Sequence, residues 1–145
     1  MIKFFTKLFF VFSFLFSSCS DEKAGSINQE ISTGSYKFIL YDSNNIKIAE
    51  GSLKVENLQM NVISGDYKFE NVVTEFEGFS AMNKGKFTGK LNQKENNLLI
   101  NTNPGQADRN VFFNIDLSSS PFNGTWYYTG FRNISKPNKI KLIRN

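Results

Sequence analysis

Histidine is missing from the whole of this 145-residue chain. That removes the usual general base, the commonest metal ligand and the near-neutral proton switch. Cysteine occurs once, as Cys19, so no disulfide within the chain can staple the fold. Ser-His-Asp and Cys-His nucleophilic sites and Cys/His zinc sites are excluded with them. Calcium-loop and glycine-rich phosphate-loop patterns are also missing, and no cofactor is expected. No segment longer than ten residues has helical spacing. Long apolar runs are lacking too: Leu8 to Phe16 is nine residues, broken only by Ser13, where a membrane-spanning helix needs ~20.

What is present begins with a divided amino terminus. Lys3 and Lys7 precede that apolar run, and Ser17 and Ser18 follow it. A basic start, a short apolar stretch and small residues before a break describe a secretory signal peptide over 1–18. The sequence Phe16-Ser17-Ser18-Cys19 resembles the lipobox of bacterial lipoproteins. That resemblance implies diacylglyceryl transfer to the Cys19 thiol, cleavage just before it, and often acylation of the new amino terminus. Two or more acyl chains give stable anchoring where one is marginal. The expected membrane partnership is therefore "anchored to" through Cys19, not "spans". In proteobacterial lipoproteins an Asp after the Cys marks inner-membrane retention; Ser20 stands there, so the outer membrane is expected. Ser20-Asp21-Glu22 also resembles the acidic surface-export tag of Bacteroidetes lipoproteins.

Lys and Arg number 17 against 13 Asp and Glu. Loss of Lys3 and Lys7 with the signal leaves a mature chain near +2, which gives no support to nucleic-acid binding. Residues 19–33 are polar and lack a period, and read as a lipidated start and flexible tether; a short helix begun by Ile27 and Ile31 is the alternative. A tether of this length reaches on the order of 20 Å as a coil. Residues 34–145 suit one domain with one modest core.

From Gly34 onward the period is two. Val111, Phe113, Ile115 and Leu117 alternate with Phe112, Asn114 and Asp116. Leu53-Lys54-Val55-Glu56, Tyr67-Lys68-Phe69-Glu70, Lys86-Phe87-Thr88-Gly89-Lys90-Leu91 and Lys139-Ile140-Lys141-Leu142 do the same. Such strands have one buried and one wet face, which argues antiparallel pairing. Turn residues at 42–45, 64–66, 83–85, 92–96 and 103–105 separate about nine stretches: 34–42, 46–56, 58–64, 66–73, 74–80, 84–92, 96–102, 110–117 with 122–131, and 138–144. Some neighbours read as one bent strand. The expectation is all-β: an antiparallel meander closing into a small up-and-down, lipocalin-like β-barrel of about eight strands, with a β-sandwich as the alternative.

Gly34-Ser35-Tyr36-Lys37-Phe38, Gly65-Asp66-Tyr67-Lys68-Phe69 and Gly124-Thr125-Trp126-Tyr127-Tyr128 share a Gly-x-aromatic-x-aromatic pattern, a weak internal echo. Gly124-Thr125-Trp126 is similar to the Gly-x-Trp of lipocalins and avidins, which implies an up-and-down barrel and nothing about ligand.

Candidate site residues follow from this frame. Tyr36, Phe38, Tyr67, Phe69, Phe87, Phe113, Trp126 and Tyr128 share one face. They either fill the lumen or line an apolar pocket for a small ligand. Asn103, Gln106, Asp108 and Arg109, in the loop 103–110, offer directional hydrogen bonds at a barrel mouth, or form a stiff connection held by Pro104 and Gly105. Lys84, Lys86, Lys90 and Lys94, echoed by Lys136, Lys139, Lys141 and Arg144, form a basic stripe. It suits anionic headgroups or an acidic partner, or simply a solvated face. Glu75 and Glu77, at i and i+2, and Asp108 beside Arg109 are paired-carboxylate candidates for glycan chemistry; alternation with Thr74 and Phe76 points Glu75 and Glu77 to water. Asn123-Gly124-Thr125 and Asn133-Ile134-Ser135 match a glycosylation acceptor pattern and read as incidental. The expected function is a non-enzymatic, lipid-anchored envelope lipoprotein that binds a small apolar ligand. The alternatives are a filled-core protein meeting an envelope partner and, more remotely, an envelope lipid or glycan enzyme.

Overall fold

The period-two stretches form eight strands in a computed structural model that describes residues 30–75 and 83–145. They are β1 (Gly34–Tyr41), β2 (Lys47–Gln59), β3 (Val62–Val72), β4 (Lys84–Asn92), β5 (Asn97–Asn101), β6 (Asn110–Asp116), β7 (Phe122–Thr129) and β8 (Asn138–Arg144). Each pairs antiparallel with the next in sequence, and β8 returns to β1 to close the barrel. Closure leaves no open edge. The fold is the up-and-down meander that the alternation implies, and the sandwich alternative falls away.

Each strand buries one face. Val111, Phe113, Ile115 and Leu117 are buried, as are Leu53, Val55, Tyr67, Phe69, Phe87, Ile140 and Leu142. The opposite face is charged. Lys37 and Lys47 both reach Glu50, at 2.9 and 3.2 Å, and Lys86 reaches Asp66 at 2.8 Å and Glu56 at 3.5 Å. The two lysines hold the Glu50 carboxyl below its ordinary range through their hydrogen bonds. A charged wall outside and an apolar lumen inside is the inverse of a membrane-spanning barrel, whose outer band is apolar.

Where the expected strand limits fail, the cause is local. Ser64-Gly65-Asp66 reads as a turn but lies inside β3, opposite Lys54, Val55 and Asn57. The reversal sits earlier, at Met60 and Asn61, with φ of 47° and 69°, the two positive values of a tight hairpin turn. The stretches 58–64 and 66–73 are therefore the end of β2 and all of β3. Residues 73–75 lie beyond β3, and 76–80 of the expected strand 74–80 lie outside the described residues. The stretch 110–117 with 122–131 is two strands, β6 and β7. The last residues of the expected tether are packed: Ile31 is 3% exposed, and the Tyr36 hydroxyl donates to the Ser32 carbonyl at 2.9 Å and accepts from Ser32 N–H at 3.0 Å. They are not helical.

Lumen packing follows a large-to-small rule. Gly51 lies between Phe38 and Phe69 across the ladder, Gly65 between Val55 and Phe87, Gly89 between Ile63 and Ile100, and Gly124 between Ile115 and Ile140. A Cβ on Gly89 would stand 2.8 Å from Ile63 Cγ1, and one on Gly51 would stand 2.5 Å from Phe38 Cζ and collide with the Lys68 carbonyl. A strand glycine of this kind marks a close approach by a neighbour. Gly89→Ala is expected to destabilise by about 1–3 kcal/mol, the usual range for overpacking. Gly105→Ala, in open space, is expected to stay within about 0.5 kcal/mol of wild type. Urea unfolding midpoints of the two variants check this; equal midpoints would refute the packing rule.

Candidate functional site at the loop end of the barrel

The barrel has two unlike ends. The turn end carries residues 30–33, the Met60-Asn61 turn, the turn 93–96 and the connection 117–121. The loop end carries the connections after β1, β3, β5 and β7. Asp42 shapes the first of these: its carboxylate accepts from Asn44 N–H and Ile46 N–H, both at 2.8 Å, an Asx turn.

All eight aromatic residues singled out in the sequence point into the lumen and are buried. The rings pack on one another. Phe38 meets Phe69 edge-on at 5.0 Å between centroids and Phe113 at 5.3 Å, and Tyr67 meets Phe69 edge-on at 6.2 Å. Such contacts contribute about 0.5–1.5 kcal/mol each beyond area burial. Tyr36 closes the lumen toward the turn end through its bonds to Ser32. Trp126 sits toward the loop end, where its indole N–H donates to the Tyr41 carbonyl at 2.9 Å. That bond ties β7 to the end of β1. Phe122 joins this core, buried on the inward face of β7; it follows Pro121 at a strand start, where alternation gives little warning.

At the loop end the lumen opens into a polar cleft of about 200 Å³. Asn103, Gln106 and Arg109 line it, joined by Tyr67, Thr102, Lys84 and Lys86. Three of the four expected loop residues are thus brought together. Asp108 is not among the lining residues and has a half-buried side chain. Arg109 takes φ of 60°, a left-handed conformation uncommon for a long side chain. It is followed by buried Asn110, whose amide N–H donates to the Gln106 carbonyl at 2.8 Å. The side-chain amide oxygen of Asn110, Oδ1, is buried without a hydrogen-bond partner among the described residues, which costs about 1–3 kcal/mol. Thr102 is tied in by its hydroxyl, which accepts from Val111 N–H at 3.2 Å. Thr102 and Asn110 escaped the sequence reading, being polar residues on a buried face, and Lys84 was read there only as part of a basic stripe. Antiparallel pairing of β4 with β5 brings the start of β4 beside the β5–β6 connection.

Among the described residues the cleft wall offers amides, hydroxyls and three cations, of which Lys86 is already paired with Asp66 and Glu56. Its groups can hydrogen-bond a polar or anionic molecule. Glu75 is exposed and lies past the end of β3, and Glu77 lies outside the described residues. Burial raises the Tyr67 phenol above its usual 10.0, and the Thr102 hydroxyl beside it works the other way. No protein-family model, curated protein or solved structure matches the chain, so the likeness of Gly124-Thr125-Trp126 to lipocalins and avidins stays one of architecture.

A phenol with a raised folded-state pKa keeps its proton longer when folded than when unfolded. The stability it contributes is full below pH 10.0 and is lost as pH climbs through the folded value. Tyr67→Phe is therefore expected to flatten the decline in unfolding free energy above pH 10.0. Urea titrations from pH 8 upward test it; parallel declines in wild type and variant would remove Tyr67 as the cause.

Proposed function

We propose that this chain is a lipid-anchored cell-envelope lipoprotein whose barrel is non-enzymatic and works through its outer surface and loop end. The observation that carries the reading is the interlocked lumen. Rings in direct contact, with Phe38, Phe69, Phe87 and Ile63 set against glycines on the neighbouring strand, leave the inside occupied by the protein's own side chains. A small apolar ligand in the lumen would have to displace Phe38, Phe69 or Phe113. The filled-core alternative of the sequence reading is therefore favoured over lumen binding. The anchor is carried by the Phe16-Ser17-Ser18-Cys19 lipobox, and the outer membrane by Ser20 in place of Asp. Partners on this reading are the bilayer, through the acyl chains on Cys19, and an envelope protein at the loop end.

Two measurements test it. Wild-type protein expressed with labelled palmitate is expected to take up label and fractionate with the outer membrane, while Cys19→Ala loses the label. No label in the wild type would refute the anchor. Native mass spectrometry of protein purified from its own cells is expected to give the mass of the lipidated chain alone. A reproducible extra bound mass would return the lumen or the cleft as a ligand site.

A further inference from the structure

The turn end of the barrel exposes an apolar tip that the fold itself does not use. Met60 is 98% exposed, with Val62 at 49% and Leu58 at 38% beside it. Met60 also occupies the first of the two positive-φ positions of the β2–β3 turn, at 47°. Gly, Asn or Asp suit that position; an unbranched apolar side chain does not. A strained backbone is ordinarily offset by packing, yet this side chain packs on nothing. Behind it lies a groove of about 520 Å³ whose apolar wall is Ile31, Leu58, Leu91 and Leu117.

The anchored chain arrives at this same end. Ile31 packs at the turn end, and only residues 20–30 separate it from Cys19. Eleven residues reach on the order of 20 Å as a coil. A strand of eight residues is itself ~26 Å long, so the tether would have to run nearly extended along the wall to bring the loop end to the bilayer. The lipid is thus delivered beside Met60 and away from Ile46, Val73, Phe131 and Ile134, the exposed apolar residues of the loop end, so chain connectivity, not apolar content alone, distinguishes the two ends.

We propose that the turn end docks on the bilayer, with Met60, Leu58 and Val62 inserted among the lipid headgroups and first acyl carbons, and that the loop end consequently faces away from the membrane. The occupant of this tip is the lipid surface that carries the anchor. The inference rests on lipidation of Cys19. Met is suited to such a role because its flexible, polarisable chain adapts to irregular apolar surroundings, and the tip adds an orienting contact to an anchor whose acyl chains already hold the chain at the bilayer.

The chain's sole cysteine is consumed by the lipid, so a cysteine placed elsewhere can be labelled alone. Full-length lipidated Met60→Cys and Phe131→Cys, each carrying an environment-sensitive fluorophore, are reconstituted on vesicles of phosphatidylethanolamine and phosphatidylglycerol. Both positions are exposed, so the fold tolerates both changes. The label at 60 is expected to shift to the blue and be quenched by spin-labelled acyl chains, while the label at 131 keeps its value in water. Protein that floats with the vesicles while the label at 60 stays in water overturns the docking and leaves the anchor standing. Equal quenching at 60 and 131 overturns the orientation. Protein that fails to float overturns the anchor, and the docking with it.

Discussion

Closure of eight strands around a lumen too narrow for slack is the constraint on which the rest depends. Small barrels admit side chains from every strand into one shared space, so the volume at each level must be divided among neighbours. Here the division is sharp: Phe38 and Phe69 share a level with Gly51, and Ile63 and Ile100 share one with Gly89. The Phe38 and Phe69 rings then meet edge-on over Gly51. The bulges of β2, at Glu50/Gly51 and Val55/Asn57, bend that long strand where the sheet must coil. Gly51 serves both needs, since its missing Cβ admits both the Phe38 ring and the Lys68 carbonyl.

A lumen solved in this way divides the molecule into a rigid middle and two chemically different ends. Toward the turn end, Ile31 is buried and Tyr36 holds Ser32, so packed structure begins before β1. Toward the loop end, Trp126 fastens the far end of β1, and Thr102, Asn110 and Arg109 hold a polar cleft in a conformation that includes an unpartnered buried oxygen and a left-handed arginine. Local costs of that kind persist only where the surrounding structure over-determines them. The β5–β6 connection is thereby a fixed surface and not merely a link between strands.

Alternation made most of this legible. Lys86-Phe87-Thr88-Gly89-Lys90 and Val111 to Leu117 declare their faces residue by residue, and the lumen follows from them. Glycine was the ambiguous letter. Gly65 beside Asp66 looks like a turn, because the same missing Cβ that permits a turn also makes room for Phe87 across a ladder; only pairing partners distinguish the two. The true turn at Met60-Asn61 was hidden because methionine is a poor turn residue. Ile31 was hidden for a different reason: a lone apolar residue in a polar stretch has no period, and its burial depends on Tyr36 reaching back for Ser32. The cleft was half visible. Its loop residues stand out as polar and irregular, whereas Lys84 and Tyr67 reach it through the pairing of β3 with β4 and of β4 with β5.

The direction of the barrel axis ties these features together. If the chain is anchored as proposed, the anchor alone would leave the domain free to tumble, showing either end to the bilayer. Ile31 packs at the turn end, which would shorten the link to Cys19 there, and exposed Met60 would give the same end a further apolar contact. The polar cleft, with Lys84, Lys86 and Arg109 at its walls, would then lie about one strand length from the lipid, beyond the screening distance of roughly 8–10 Å over which headgroup charge acts. Lys86 is already paired with Asp66 and Glu56, so Lys84 and Arg109 would be the cations turned toward a polar or anionic group approaching from the side away from the membrane.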